Sequence, residues 1–327
     1  MNKAAKLTRY RYADITKNAS NFGNLIIDLA VRTLMTSYLP PPVEVFDAFT
    51  ESEPLFGSEF TIIPGCTMLT AGHYPGLNSL DWASPVYCIG GSIWNQLEST
   101  GYLIRSRVIL RRTPPSPDLS IARLVAEPVG VRDSYTQRIL LGAGIRTLYV
   151  GCPTLFLSPE GVADDGYVLM SLGRGHIREQ CYAGHQMAKK NPVIGICHEL
   201  GDYERYRAVG WKLPLVTFSG DINLYLSYFK HARVVVTGRL HGLLPSIAFG
   251  KKVYYYGTKD SRTSICDDLG IDVHNYKGLE NATDNSSNSY NRYFIEYLRD
   301  NMDELFKAIV KTSIYKDTSE LQSTNQE

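Results

Sequence analysis

Arg239 and His241, two positions apart, are the residues whose types and spacing first suggest chemistry in this sequence. An arginine offers a fixed fork of N–H donors to a carboxylate or phosphate, and a histidine moves a proton near neutral pH. Together they suit anion capture beside proton transfer. Arg132 occupies a comparable place in the first half, and Lys259 and Arg262 follow the next apolar run. Two or three such cations at one strand edge can fix a small dianion such as a phosphorylated carboxylate.

The elements that must hold these groups are legible around them. Residues 234–237 are a β-branched run, Gly238 breaks it, and a short apolar pattern closed by Gly250 follows, which predicts a buried strand, a tight turn and a helix. In an open α/β sheet the turn leaving the carboxyl end of a strand is where ligands bind, because the next helix points free N–H groups and its positive dipole end into the crevice. Residues 129–132 repeat the plan, with a short strand ending at Arg132 and Asp133 or Ser134 placed to cap a helix running to Gly142.

The rest of the chain alternates in the same way. Strand-like runs at 43–46, 60–68, 86–92 and 148–157 precede a turn-rich segment at 158–166, and further runs at 167–172, 192–197, 215–218 and 252–257 follow it. This alternation predicts an α/β fold with two Rossmann-like doubly wound domains facing a cleft, residues 1–160 and 161–327, the second ending in a helix over 293–310. Residues 281–291 read as a mobile polar loop, and the tail after Lys311 as frayed. In the first half, a polar turn at 18–24 runs into an apolar helical pattern, as either an ordinary cap or a set of amides facing a ligand. The loop at 72–78, with His73 and Asn78, is a place for substrate contacts.

Composition narrows the function classes. The chain has 327 residues, 44% hydrophobic and 20% charged, and a net charge of +1, which gives no basis for nucleic acid or an anionic membrane as the main partner. Its six cysteines form no C-x-x-C pair and read as free buried thiols of a reducing compartment. No window has the apolar length of a signal peptide or a membrane span, so a cytoplasmic protein is expected. There is no G-x-G-x-x-G after a strand, no P-loop and no G-x-S-x-G elbow. His198-Glu199 begins like a zinc protease motif, but position 202 is aspartate, and no D-x-D occurs. Neither a metal nor a cofactor is expected.

Residues 235–242 (V-V-T-G-R-L-H-G) with 247–253 (I-A-F-G-K-K-V) resemble the R-L-H signature of polysaccharide pyruvyl transferases. Asn21-Phe22-Gly23-Asn24 resembles that family's N-x-G-D turn, Val131-Arg132-Asp133 its V-R-D helix start, and Gly151-Cys152-Pro153-Thr154 its entry to the second domain. Two departures are Asn24 in place of aspartate and Pro64-Gly65-Cys66-Thr67 in place of a glycine-rich turn. The resemblance implies a GT-B-like pair of domains, phosphoenolpyruvate as donor and co-substrate, and a sugar or lipid-linked glycan as acceptor, with peripheral contact at the inner face of the membrane left open. It implies a donor site at Arg132, Arg239, Leu240, His241, Gly242 and Lys259, with His241 and Arg239 catalytic. Asn21, Gly23, Asn24, His73 and Asn78 are the acceptor-side candidates. Two alternatives remain at this level: a two-domain glycosyltransferase with a nucleotide-sugar donor, and a glycan-binding protein that kept the fold after losing catalysis.

Overall fold

A computed structural model describes residues 9–16, 22–50, 58–66, 69, 75–80, 82–93, 118–173, 175–199, 201–217, 220–257, 263–274, 276, 278–287 and 289–323, with the backbone alone at 66, 78, 79 and 312–323. The arginine-rich stretch at 105–112 lies outside them.

The first half runs β1 (Tyr10–Asp14), α1 (Phe22–Met35), β2 (Glu44–Asp47), β3 (Phe60–Cys66), a 3-10 turn (Pro75–Ser79), β4 (Val86–Gly91), α2 (Ser120–Leu124), β5 (Val129–Val131), α3 (Ser134–Gly142) and β6 (Thr147–Tyr149). Its six strands pair in the order β2-β1-β3-β4-β5-β6, all parallel. A 3-10 turn (Pro153–Phe156) leads to β7 (Val168–Leu172), α4 (Ile177–Met187), β8 (Val193–Cys197), α5 (Asp202–Ala208), β9 (Leu215–Val216), α6 (Ile222–His231), β10 (Val234–Thr237), α7 (Leu240–Ala248) and β11 (Lys252–Tyr255). These strands form a second parallel sheet in the order β11-β10-β7-β8-β9. The chain closes with α8 (Ser264–Asp268), a 3-10 turn (Leu279–Asn281) and α9 (Arg292–Ser323).

β7 and β10 are buried along their whole length, as a parallel sheet covered on both faces requires, and that explains their near-continuous apolar sequences. Two helices tie the sheets together. On α1, Ile27, Val31 and Met35 join the core of the first sheet, while Phe22, Ile26 and Ala30 join a cluster with Leu169, Ile196 and Val235 of the second. Each set repeats every four residues, so α1 carries two apolar stripes side by side. On α7, Leu243, Leu244 and Ile247 in turn join the cluster of the first sheet.

Several expectations need correction. β1 was not legible, because Y-R-Y-A-D has no apolar run; Tyr10 and Tyr12 are buried by their rings, and Arg11 is held by Glu44 at 2.7 Å. The expected strand at 148–157 is only β6 followed by a 3-10 turn. The stretch read as a mobile loop is anchored: Leu279 and Ala282 are buried, and Ser287 exchanges backbone hydrogen bonds of 2.8 and 3.1 Å with Val253. The tail read as frayed continues as helix to Ser323. That helix packs on the first sheet, with Leu298, Met302, Leu305 and Phe306 in its core and Asn301 Nδ2 donating to the Tyr149 carbonyl at 2.8 Å.

Candidate functional site at the switch point of the second sheet

The chain leaves β7 for one side of its sheet and β10 for the other, which makes their carboxyl ends the switch point, the place where open α/β sheets form their ligand crevice. Ser171 and Thr237 sit there in register. Thr237 Oγ1 lies 2.8 Å from Ser171 Oγ, Ser171 Oγ lies 2.6 Å from His198 Nε2, and the Arg239 N–H donates to Thr237 Oγ1 at 3.0 Å. Helix α7 rests directly on this pair of hydroxyls. A Cβ on Gly242 would stand 2.4 Å from Thr237 Oγ1 and 2.6 Å from Ser171 Oγ, so glycine alone fits.

The Arg239 guanidinium lies over Gly173, and both of its terminal nitrogens donate to Glu199 Oε1 at 3.1 Å. Asp202 Oδ2 is 3.6 Å away, and Asp202 also receives Arg205 at 3.0 Å. Arg239 Nε is buried and has no hydrogen-bond partner among the described residues. Burial raises the pKa of Asp202, opposed by the Arg239 charge. Burial, reinforced by Arg239 and His241, pushes His198 well below the usual histidine value, so its ring is neutral. Under the crevice, Tyr206 donates to the Gly173 carbonyl at 2.6 Å, and Gln180 accepts the Gly173 N–H at 3.1 Å, which fixes the turn leaving β7.

The first half reaches this point through α1. The Phe22 N–H donates to the His198 carbonyl at 3.0 Å, and Gly23 lies flat against the imidazole of His241. A Cβ on Gly23 would fall 1.5 Å from His241 Nδ1. Two helix N-termini, one from each half, thus meet at one histidine.

Arg239, His241 and Gly23 are therefore brought together. Arg132 is buried at the end of β5 and paired with Asp133 at 3.3 Å, while Asp133 caps α3 by accepting the Thr136 N–H at 2.8 Å. Leu240 is half-buried against the core of the first sheet, and the visible role of Gly242 is close packing. Asn24 lies in the first turn of α1, and Asn78 lies within the 3-10 turn Pro75–Ser79 with its side chain outside the described atoms. Asn21, His73, Lys259 and Arg262 lie outside the described residues. Sequence reasoning missed Ser171, Thr237, His198, Glu199 and Asp202. The available signal for His198, Glu199 and Asp202 was a polar cluster placed directly after a buried strand, while Ser171 and Thr237 lie inside apolar strands and carry no local signal. The described residues include no group of three or more His, Cys, Asp or Glu arranged to hold a metal, and no helix among them is long and apolar enough to cross a membrane.

Two parallel doubly wound sheets with a site where their helices meet define a GT-B-fold protein. Solved structures agree on the fold. UDP-GlcNAc 2-epimerase from Methanocaldococcus jannaschii, in complex with UDP-GlcNAc and UDP, superposes with a TM-score of 0.54 at 12% identity, over 91% of this chain and 99% of its own. The S. aureus MnaA–UDP structure gives 0.55 at 9% identity over 96% and 97%, and the epimerase from Neisseria meningitidis 0.54 at 11% over 94% and 100%. No curated protein sequence matches. The sequence model of polysaccharide pyruvyl transferase matches residues 85–261, more than half of the chain. The chain belongs to that family and is a transferase of polysaccharide biosynthesis.

Proposed function

We propose that this protein transfers pyruvate from phosphoenolpyruvate to two hydroxyls of one sugar, in a cell-surface polysaccharide or its lipid-linked precursor, forming a cyclic ketal. The observation that carries the proposal is the His241 ring set between the N-termini of α7 and α1, beside Arg239. The donor's methylene carbon takes a proton and becomes a methyl group as one sugar hydroxyl loses its proton and bonds to the adjacent carbon. The second hydroxyl then bonds to that carbon as the bond to phosphate breaks, and inorganic phosphate leaves with the second proton. Such a reaction needs a proton carrier and donors aimed at the leaving phosphate. His241 is assigned the proton transfer, and Arg239, Arg132 and the first N–H groups of α7 the anionic donor. Because Glu199 occupies the Arg239 fork, the donor competes with Glu199 for it.

The test is phosphate release from phosphoenolpyruvate by the full chain with a panel of diol-bearing glycosides. Release is expected only with an acceptor present, and a Tm raised by UDP or a nucleotide sugar and unmoved by phosphoenolpyruvate would sink the proposal. That second outcome belongs to the alternative reading, a nucleotide-sugar donor. It is supported by UDP in two of the solved structures of the same fold.

A further inference from the structure

The ring of His198 is fully buried, with Nε2 2.6 Å from Ser171 Oγ and with Nδ1 lacking a hydrogen-bond partner among the described residues. The rings of Tyr225 and Phe229 lie edge-on to it, and Arg239 and His241 are the basic side chains that act on it electrostatically. From Ser171 the contacts continue to Thr237 Oγ1, which accepts the Arg239 N–H at 3.0 Å and lies 3.2 Å from the Arg239 carbonyl. That carbonyl also accepts the Gly242 and Leu243 N–H groups, each at 3.0 Å, which form the first turn of α7.

The neutral ring has two tautomers. With the proton on Nδ1, Ser171 donates to Nε2 and Thr237 to Ser171 or to the Arg239 carbonyl, and either way the Nδ1 N–H is left buried without an acceptor. With the proton on Nε2, His198 donates to Ser171, Ser171 to Thr237 and Thr237 to the Arg239 carbonyl. Every donor is then satisfied, and only an acceptor lone pair on Nδ1 is left over. Orphaned buried N–H groups are rare in proteins, and under-used acceptors are tolerated better. A protonated ring would create the same orphaned Nδ1 donor, in keeping with the neutral state.

We infer that His198, as its neutral Nε2–H tautomer, heads a one-way hydrogen-bond chain through Ser171 and Thr237 to the Arg239 peptide. These three are positioning residues for the Arg239–His241 turn. The chain clamps the turn from below, at the one place where β7, β8 and β10 end side by side. Its importance for donor binding rests on the proposed pyruvyl transfer; its geometry does not.

Long-range proton–nitrogen NMR correlation on the nitrogen-labelled full chain reads the tautomer directly, with the His198 signals identified by their loss in His198→Gln. A proton on Nε2 is expected, and a proton on Nδ1 overturns the inference. Calorimetric binding of phosphoenolpyruvate supplies the second arm. Thr237→Val keeps the shape and loses the hydroxyl, whereas Thr237→Ser keeps the hydroxyl and loses a methyl. The valine variant is expected to bind about tenfold more weakly and the serine variant within about threefold of the parent, as loss of one buried hydrogen bond implies. Side-chain packing alone would reverse that order, which also overturns the inference. If the unmodified protein binds no phosphoenolpyruvate, pyruvyl transfer fails and the tautomer still decides the hydrogen-bond chain.

Discussion

In the first half, Tyr12 donates to Asp28 at 2.9 Å, Arg32 pairs with Asp28 at 2.7 Å and covers the Tyr12 ring at 4.3 Å, and Asp14 holds Thr16. In the second half, Ser171, His198, Thr237, Arg239, Glu199 and Asp202 gather at the ends of three strands. Both groups are polar and buried, but they differ in what they close. The first staples α1 to β1 inside its own half. The second opens onto a crevice, leaves Arg239 Nε and His198 Nδ1 without partners among the described residues, and touches the other half at Gly23 and Phe22. A satisfied network rigidifies a fold, whereas one that keeps buried polar atoms unsatisfied beside an arginine at a strand end needs a further explanation, for which a ligand site is the natural candidate.

Variants can break this contrast. The largest effect is expected at the meeting point: His241→Gln should lower the rate of phosphate release by roughly 10²- to 10⁴-fold, the usual contribution of a general acid or base. Gly23→Ala should lower it by about 10²-fold, because the new Cβ must displace His241 by an ångström or more. Melting curves of both variants should stay close to the parent's, and a collapse of Tm would assign this contact to stability instead. In the first half the signs invert. Asp28→Ala leaves Tyr12 and Arg32 without their buried carboxylate and should destabilise by about 3 kcal/mol in urea titrations, while turnover per folded molecule is kept.

Two smaller effects sharpen the comparison. Glu199→Gln removes the charge that competes for Arg239 and should tighten phosphoenolpyruvate binding roughly fivefold, in the range of a partly exposed ion pair. Calorimetry checks it, and weaker binding would mean that Glu199 aligns the fork rather than blocking it. For His198 the folded pKa is depressed below the ordinary 6.5, so its stabilising contribution is complete above that pH. As pH falls below about 6.5 the unfolded chain takes up a proton that the folded chain refuses, and stability falls by up to about 1.4 kcal/mol per pH unit until the folded pKa is reached. His198→Gln should flatten that slope. Asp28, Asp133 and Asp202, whose pKa values are raised from 3.8, act in the opposite sense, in a window that opens at 3.8 and in which stability falls as pH rises.

The strand-and-turn stretches carrying Arg132 and Arg239 were legible because β-branched runs ending in glycine or a cap obey local rules. β1 was not, since its tyrosines are buried by their neighbours rather than by an apolar pattern of their own. The anchored stretch around Ser287 was missed for a similar reason, as its partner Val253 lies more than thirty positions away. The glycine at 23 is visible in the sequence, but the reason for it is a histidine in the other half of the chain.

What the sequence determined by itself was the alternation of strands and helices over most of the chain, the turn that presents Arg239 and His241, and the resemblance to a family, because periodicity, turn chemistry and motif spacing are local. The tertiary structure decided which polar residues share one crevice, that Glu199 holds the Arg239 fork, and that α1 and α7 meet at His241. Those facts depend on sheet order, which brings β7, β8 and β10 side by side although dozens of residues separate them. Local propensity carries no information about such neighbours.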